Sequence, residues 1–149
     1  VMRILEQKKI KHETHSYVGT GAVSGSEVAS ALGQDPKRVF KTLVTVGKSK
    51  NNYVFVIPVE KELNLKKAAK IVGEKSIDML KSKDLLSLTG YIHGGCSPIG
   101  MKKFFKTVID ISAEDYDTII FSAGKIGYQV EMSLSELSKV IRFTTADII

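Results

Sequence analysis

Apolar and polar residues alternate along much of this chain over distances typical of short strands. Runs of this kind predict strands at 39–46 and 53–59, and the polar segment GKSKNN between them indicates a hairpin. Further extended segments are predicted at 10–18, 104–111, 118–122, 128–132 and 141–143. The segment AGKIG carries two glycines and indicates a second hairpin, between 118–122 and 128–132.

Helices are indicated by their capping residues. Ser24 and Glu27 have the spacing of a capping box, and Gly33 follows as a stop signal. Asn64 begins a helix in the same way, and Gly73 ends it. Further helical segments are predicted at 3–8, for one turn after Asp35-Pro36, at 84–88, and from the capping box of Ser133 and Glu136 to about 139. We therefore expect one α+β domain over 1–149, with a mixed, largely antiparallel sheet and short flanking helices.

The charge balance favours an anionic partner. Lysine and arginine number 22 against 16 acidic residues, for a net charge of +6. Arginine occurs only at Arg3, Arg38 and Arg142, so most of this charge is carried by compact lysine ammonium groups, which suit phosphate contacts. Nucleic acid is one interpretation of this excess, and a solvated lysine-rich face is the other.

The single cysteine, Cys96, excludes a disulfide within the chain and favours a reducing compartment. No apolar run reaches the roughly 18 residues that span a bilayer, and no signal-peptide pattern is present. We expect a cytoplasmic protein without a membrane partner.

The segment GGCSPIG at 94–100 is the most informative motif. Glycine lets another molecule approach the main chain closely, and Pro98 stiffens the loop. Its N–H groups could bind a phosphate, a carboxylate or a developing oxyanion. A plain turn is the alternative interpretation.

Lys41 is the first candidate side chain. Alternation places it on one strand face with Val39 and Leu43. Its ammonium must therefore reach solvent from the strand end or meet an anion inside a cleft. Ser122 ends another strand at a second small-residue loop, SAGKIG.

Other chemistries are poorly supported. His12 and His15 face opposite sides of an extended segment, and His93 with Cys96 has no second ligand pair, so no metal is expected. No nucleophile elbow surrounds Ser97 or Ser122, and no nucleotide-binding fingerprint occurs, so no cofactor is expected either.

Four segments together resemble the YbaK family of aminoacyl-tRNA editing deacylases. They are VFKTL around Lys41, TGYIHGGCSPIG, the following Lys102-Lys103, and SAGKIG with the later V-E-M. The similarity extends from ILEQKKIKHETHSY through LNLKKAAKIVG to the terminal TTADII.

The resemblance implies a compact α+β domain with a partly barrel-like sheet, like the editing domain of bacterial prolyl-tRNA synthetase. It implies hydrolysis of the ester that joins cysteine to mischarged tRNA(Pro), with Ala-tRNA(Pro) as the runner-up substrate. Prolyl-tRNA synthetase is a further expected partner. A module that binds tRNA or the synthetase without catalysis, and a small-molecule amidase or esterase, are the alternatives.

The resemblance also implies the site residues. Lys41 would act in catalysis with the glycine loop, from which we expect contributions by Gly95, Ser97 and Gly100. Lys102, Lys103 and Lys106 would contact tRNA phosphates. Gln129 stands where some members have aspartate, so no carboxylate base is expected there, and water or the substrate's own thiol would be the nucleophile. The remaining substrate contacts would come from Tyr17, Gly94, Cys96, Pro98, Ile99, Ser122, Ala123, Gly124 and Gln129.

Overall fold

A computed structural model describes residues 1–149. Five short α-helices surround the sheets: α1 (Met2–Gln7), α2 (Gly25–Leu32), α3 (Leu65–Val72), α4 (Ser82–Thr89) and α5 (Leu134–Leu137). Single 3₁₀ turns lie at Pro36–Arg38 and Ile111–Asp115. No helix has the length and apolar character needed to cross a bilayer.

Eight strands complete the fold: β1 (Glu13–Ser16), β2 (Phe40–Gly47), β3 (Asn52–Pro58), β4 (Ile77–Met79), β5 (Lys106–Asp110), β6 (Ile119–Ser122), β7 (Tyr128–Met132) and β8 (Thr144–Ala146). They form a three-stranded sheet in the order β1-β7-β6 and a five-stranded sheet in the order β4-β2-β3-β5-β8. A bridge between Val39 and Ile120 connects the two sheets.

This architecture confirms the α+β prediction. Only the pairs β3-β5 and β5-β8 are parallel, so the sheets are largely antiparallel, as expected. The predicted single sheet is instead two sheets joined by one bridge.

The capping predictions are confirmed where local hydrogen bonds decide the structure. The Ser24 hydroxyl accepts from the Glu27 N–H at 3.1 Å, and the Glu27 carboxylate accepts from the Ser24 N–H at 3.3 Å. Gly33 ends α2 with a left-handed φ of 66°. At α5 only half of the predicted box forms, because the Glu136 carboxylate accepts from Lys11 and Lys139 instead of Ser133.

Two strand predictions need correction. The predicted strand 141–143 lies at Thr144–Ala146, because β8 is positioned by parallel pairing of Thr144 with Val108 rather than by its own alternation. The short strand β4 was not predicted. Its three residues are too few for a periodic signal, and its position depends on pairing with the end of β2.

Two large apolar clusters, and a small one that includes Val39 and Ile120, hold the sheets. The main core packs Phe40 and Val56 of the five-stranded sheet with Phe121 and Val130 of the three-stranded sheet. A second core lies between the other face of the five-stranded sheet and α3, around Phe55, Ile57, Ala68, Ala69, Val108 and Ile148. Strand β2 therefore has an apolar cluster on each face.

Candidate active site

Strand β2 is paired along one edge and interrupted along the other. It pairs with β3 from Phe40 to Val46, but with β4 only from Thr45 onward. Alternate residues of an antiparallel strand direct their main-chain groups to opposite edges. The Val44 carbonyl accepts from the Leu80 N–H at 3.0 Å, so Thr42, two residues earlier, directs its N–H and C=O to the same edge. No strand continues there, and we call Lys41–Leu43 the open edge.

A cleft of about 640 Å³ lies along this open edge. Its walls come from the start of α2, the residues before and at the start of α4, the loop after α4, and the facing ends of β6 and β7. Of the residues predicted from the sequence, those that line this cleft are Tyr17, Lys41, Gly94, Cys96, Ser122 and Gln129.

Lys41 is half-buried in the cleft, and its ammonium forms no ion pair or hydrogen bond within the chain. It lies opposite Ile57 on β3, and Leu43 on the same face packs against the second core. The predicted apolar surroundings are therefore present. Since the only carboxylate of the cleft wall, Glu27, is engaged in the α2 capping box, the ammonium is available to a ligand.

Thr42 is a polar residue of the cleft that the sequence did not single out. Its Oγ1 is buried and has no hydrogen-bond partner. An unpaired buried hydroxyl costs stability, and beside a cleft a bound ligand could complete its hydrogen bonding. The sequence gives one indication of this environment. By alternation, Thr42 lies on the same strand face as Phe40 and Val44, which both belong to the main core.

The glycine loop divides into two parts. Gly94, with a left-handed φ of 89°, and Cys96 line the cleft, and their N–H groups donate to no group of the chain. Gly95 is buried, faces a neighbouring pocket, and donates its N–H to the Ile92 carbonyl at 3.0 Å. The N–H groups free for an oxyanion are therefore those of Gly94 and Cys96 rather than that of Gly95.

The second part of the loop is structural in its contacts. Ser97, Pro98 and Ile99 are buried outside the cleft wall, and the Ser97 hydroxyl accepts from the Ile99 N–H at 3.3 Å. Gly100 is exposed and also lies outside the cleft wall. These four residues could therefore contribute to catalysis and substrate contact, as predicted, only by determining the shape of the loop.

Tyr91 fixes the position of the glycine loop relative to the β6–β7 hairpin turn. Its hydroxyl donates to the Ile99 carbonyl. A Cβ at Gly100 would lie 2.7 Å from that hydroxyl oxygen, and a Cβ at Gly124 would lie 2.9 Å from the ring. Only glycine at both positions lets the ring fit between the two loops.

The hairpin turn and Tyr17, which follows β1, supply the remaining wall. The Ser122 hydroxyl lies at the end of β6 and accepts from the Gly124 N–H at 3.1 Å. Ala123 is buried, and Gly124 faces the neighbouring pocket. Tyr17 is held against the turn by a 2.8 Å hydrogen bond from its N–H to the Gly127 carbonyl.

Gln129 is buried and faces the cleft with its side chain already engaged. Its Oε1 accepts from Gln34 Nε2 at 2.9 Å, whereas Gln34 Oε1 is buried without a partner. A neutral amide pair thus occupies this wall, and Gln129 has no acid-base chemistry to offer.

Cys96 is a poor nucleophile in this position. Burial raises the pKa of its thiol to about 12, and the thiolate is the reactive form. The side chain packs against the main core. These are the surroundings of a residue that fills space, and the predicted substrate contact of Cys96 would come from its main chain.

One cluster of metal-ligating side chains lies outside the cleft, at Glu13, His15 and Glu131. Arg38 donates to Glu131 at 3.1 Å and His15 lies 2.8 Å from it. Burial raises the pKa of Glu131, but hydrogen bonds from Thr118 and His15 and the charge of Arg38 outweigh this and lower it overall. The guanidinium already neutralises this carboxylate, which makes the cluster a weak cation ligand.

The predicted phosphate contacts lie on an exposed segment outside the cleft. Lys102, Lys103 and Lys106 are all exposed, and Lys103 Nζ lies 5.4 Å from the Phe105 ring centroid. None of the three lines the cleft. They could meet only a substrate that extends well beyond it.

Residues 20–140 match the model of the aminoacyl-tRNA editing domain family. The chain is 48% identical over 133 residues to EbsC of Enterococcus faecalis, a candidate Cys-tRNA(Pro)/Cys-tRNA(Cys) deacylase, covering 89% of this chain and 81% of EbsC. It is also 31% identical over 108 residues to a proline–tRNA ligase of Thermodesulfovibrio yellowstonii, covering 72% of this chain but only 18% of the ligase.

Solved structures share the fold. A candidate trans-editing enzyme for prolyl-tRNA synthetase superposes with a TM-score of 0.85 at 23% identity, covering 99% of this chain and 92% of the other. A hypothetical protein superposes with a TM-score of 0.86 at 20% identity, with coverage of 99% and 97%.

Proposed function

The chain belongs to the aminoacyl-tRNA editing domain family, and we propose that it hydrolyses the ester of mischarged Cys-tRNA(Pro), releasing cysteine and free tRNA. The similarity to EbsC supports cysteine as the amino acid. Editing after misacylation is needed because a synthetase pocket separates small side chains poorly in a single step.

The observation that carries this proposal is the free ammonium of Lys41 at the open edge of β2. It is half-buried and unpaired, in a cleft whose only carboxylate is engaged elsewhere. Such a cation is suited to a substrate on which negative charge develops during the reaction, such as the ester end of an aminoacyl-tRNA.

The same arrangement suits ester hydrolysis. When a nucleophile adds to the ester carbonyl, negative charge develops on its oxygen. The N–H groups of Gly94 and Cys96, which have no acceptor in the chain, can donate to that oxygen, and Lys41 adds positive charge at the same cleft. Collapse of the intermediate breaks the bond to the ribose oxygen, which leaves with a proton as the free tRNA end.

The nucleophile comes from outside the protein. The Cys96 thiol stays protonated because burial raises its pKa to about 12, and the Ser97 hydroxyl is buried outside the cleft wall. Water therefore attacks the carbonyl, or the thiol of the cysteinyl substrate does so and forms a cyclic thioester, which water then hydrolyses to cysteine.

Contacts with the rest of the tRNA are proposed for Lys102, Lys103 and Lys106. Their exposure supports phosphate contacts, which release counterions and make affinity fall as salt rises. We also propose prolyl-tRNA synthetase as a partner, since it generates the mischarged substrate.

The test is single-turnover deacylation of Cys-tRNA(Pro), Ala-tRNA(Pro) and Pro-tRNA(Pro) side by side. We expect fast loss of cysteine, slower loss of alanine and retention of proline, with rates unchanged by EDTA. Preference for alanine would assign the chain to the runner-up substrate. Tight tRNA binding without ester loss would show a binding module instead.

A further inference from the structure

A second pocket of about 360 Å³ adjoins the cleft. Ile126 lines both cavities, and the consecutive glycines Gly94 and Gly95 line one each. The boundary between the two cavities is therefore a narrow main-chain ridge beside one apolar side chain.

The walls of the second pocket are suited to a flat, partly apolar group. Gly90, Gly95 and Gly124 expose main chain, which allows close approach. Ile92 and Ile126 are 52% and 50% exposed, so they offer apolar surface that nothing in the chain covers.

Lys125 is the only charged residue of this pocket, and it reaches over the boundary. Its Nζ lies 5.4 Å from the ring centroid of Tyr128, which lines the cleft. The ammonium has no carboxylate partner in the chain. A single free cation thus stands where a ligand would pass from one cavity to the other.

We propose that the second pocket binds the nucleotide that precedes the terminal adenosine of the tRNA, and that Lys125 holds the phosphodiester between the two. This rests on the proposed function, which places the aminoacylated adenosine in the cleft. The unpaired acceptor end must leave the cleft, and the linking phosphate is anionic. The base of the preceding nucleotide would lie against Ile92 and Ile126, and the linking phosphate would lie beside the ammonium of Lys125.

The inference is tested with cysteinyl esters of adenosine and of the dinucleotide cytidylyl-adenosine. The quantity compared is the ratio of kcat/KM for the dinucleotide to kcat/KM for the nucleoside. We expect a ratio of about ten in the wild-type protein, the scale of one stacked base. Lys125→Ala should lower the ratio, because it removes the phosphate contact and leaves only the base on the apolar wall, and Lys125→Arg should restore most of it.

Lys66→Ala is the matched control, because Lys66 is also exposed but lies on α3 and lines neither cavity. It should keep the wild-type ratio. Binding of uncharged cytidylyl-adenosine and of adenosine is titrated in parallel, so that the pocket is measured without catalysis.

The outcomes separate the two proposals. The protein could fail to cleave either ester and still bind cytidylyl-adenosine more tightly than adenosine, in a way that depends on Lys125. That result would overturn the proposed function but support the second pocket. Equal affinities for nucleoside and dinucleotide, or an undiminished ratio in Lys125→Ala, would overturn the second pocket alone.

Discussion

The two edges of β2 differ in their main-chain pairing. Toward β3, each residue from Phe40 to Val46 has a cross-strand partner, and Leu43 packs with Phe55 into the second core. Toward the other edge, pairing stops at Val44 and leaves Lys41–Leu43 beside the cleft. Along the first edge, the main chain of β2 is hydrogen-bonded to β3. Along the second edge, main-chain groups, the Lys41 ammonium and the Thr42 hydroxyl remain available to a ligand.

The difference shows how a small domain carries a reactive cleft without losing its fold. The paired edge and its core supply stability, so the open edge can tolerate an unpaired Thr42 hydroxyl and a half-buried Lys41. Stability and activity should therefore be separable by substitutions along a single strand pair.

The largest effect is expected from Phe55→Ala on the paired side. Phe55 is fully buried in the second core, and removing a ring of this kind costs about 3–5 kcal/mol of unfolding free energy. Chemical denaturation measures the loss. The rate per folded molecule should change little, and an unchanged unfolding midpoint would show that the paired edge does not dominate stability.

Lys41→Ala tests the open edge. Loss of one preorganised electrostatic contact costs about 3 kcal/mol of transition-state stabilisation, so single-turnover deacylation should slow by roughly two to three decades. The melting curve should stay close to that of the wild type, since Lys41 has no partner in the chain.

Lys41→Arg should also be slow, because a planar guanidinium does not fit the space of a compact ammonium. Near-normal rates in a folded Lys41→Ala protein would remove Lys41 from the mechanism and leave the main-chain donors of the glycine loop.

Thr42→Val should move stability and activity in opposite directions. Replacing an unpaired buried hydroxyl by a methyl group of the same shape should stabilise the fold by about 1 kcal/mol. Deacylation should slow by about tenfold, the scale of one hydrogen bond to the substrate. A more stable variant with full activity would show that the hydroxyl has no ligand.

Cys96→Ser should have the smallest effect and retain most activity. Because burial raises the pKa of the Cys96 thiol to about 12, the wild-type thiol should also resist alkylation at pH 8, as followed by mass spectrometry. A trapped acyl adduct on Cys96, or complete loss of turnover in the serine variant, would contradict this assignment.

The sequence predicts best those parts of the fold that local hydrogen bonds decide. The caps at Ser24 and Asn64 and the hairpin at GKSKNN lie where their residues indicate. The strand at 144–146 was misplaced because its position depends on a parallel partner more than thirty residues earlier along the chain, where Val108 pairs with Thr144.

The candidate site also has features that the sequence predicts and features that it does not. The alternation around Lys41 indicates its surroundings correctly, because a single strand determines them. The sequence could not show which amides of GGCSPIG remain free, since that depends on turn hydrogen bonds such as the one from Gly95 to Ile92. It could not show the open edge either, because the end of β4 lies far along the chain from β2.

The placement of Tyr91 between Gly100 and Gly124 has an evolutionary consequence. The ring excludes a Cβ at both positions, and both glycines have left-handed φ values, 80° and 85°. A smaller side chain at 91 would remove the clash with the ring, but a Cβ at Gly124 would still lie 2.9 Å from Val1 Cγ2, and the backbone restriction would stay. These three positions should therefore diverge together among related chains, with asparagine or aspartate, which tolerate left-handed backbone, replacing glycine only after the ring is lost.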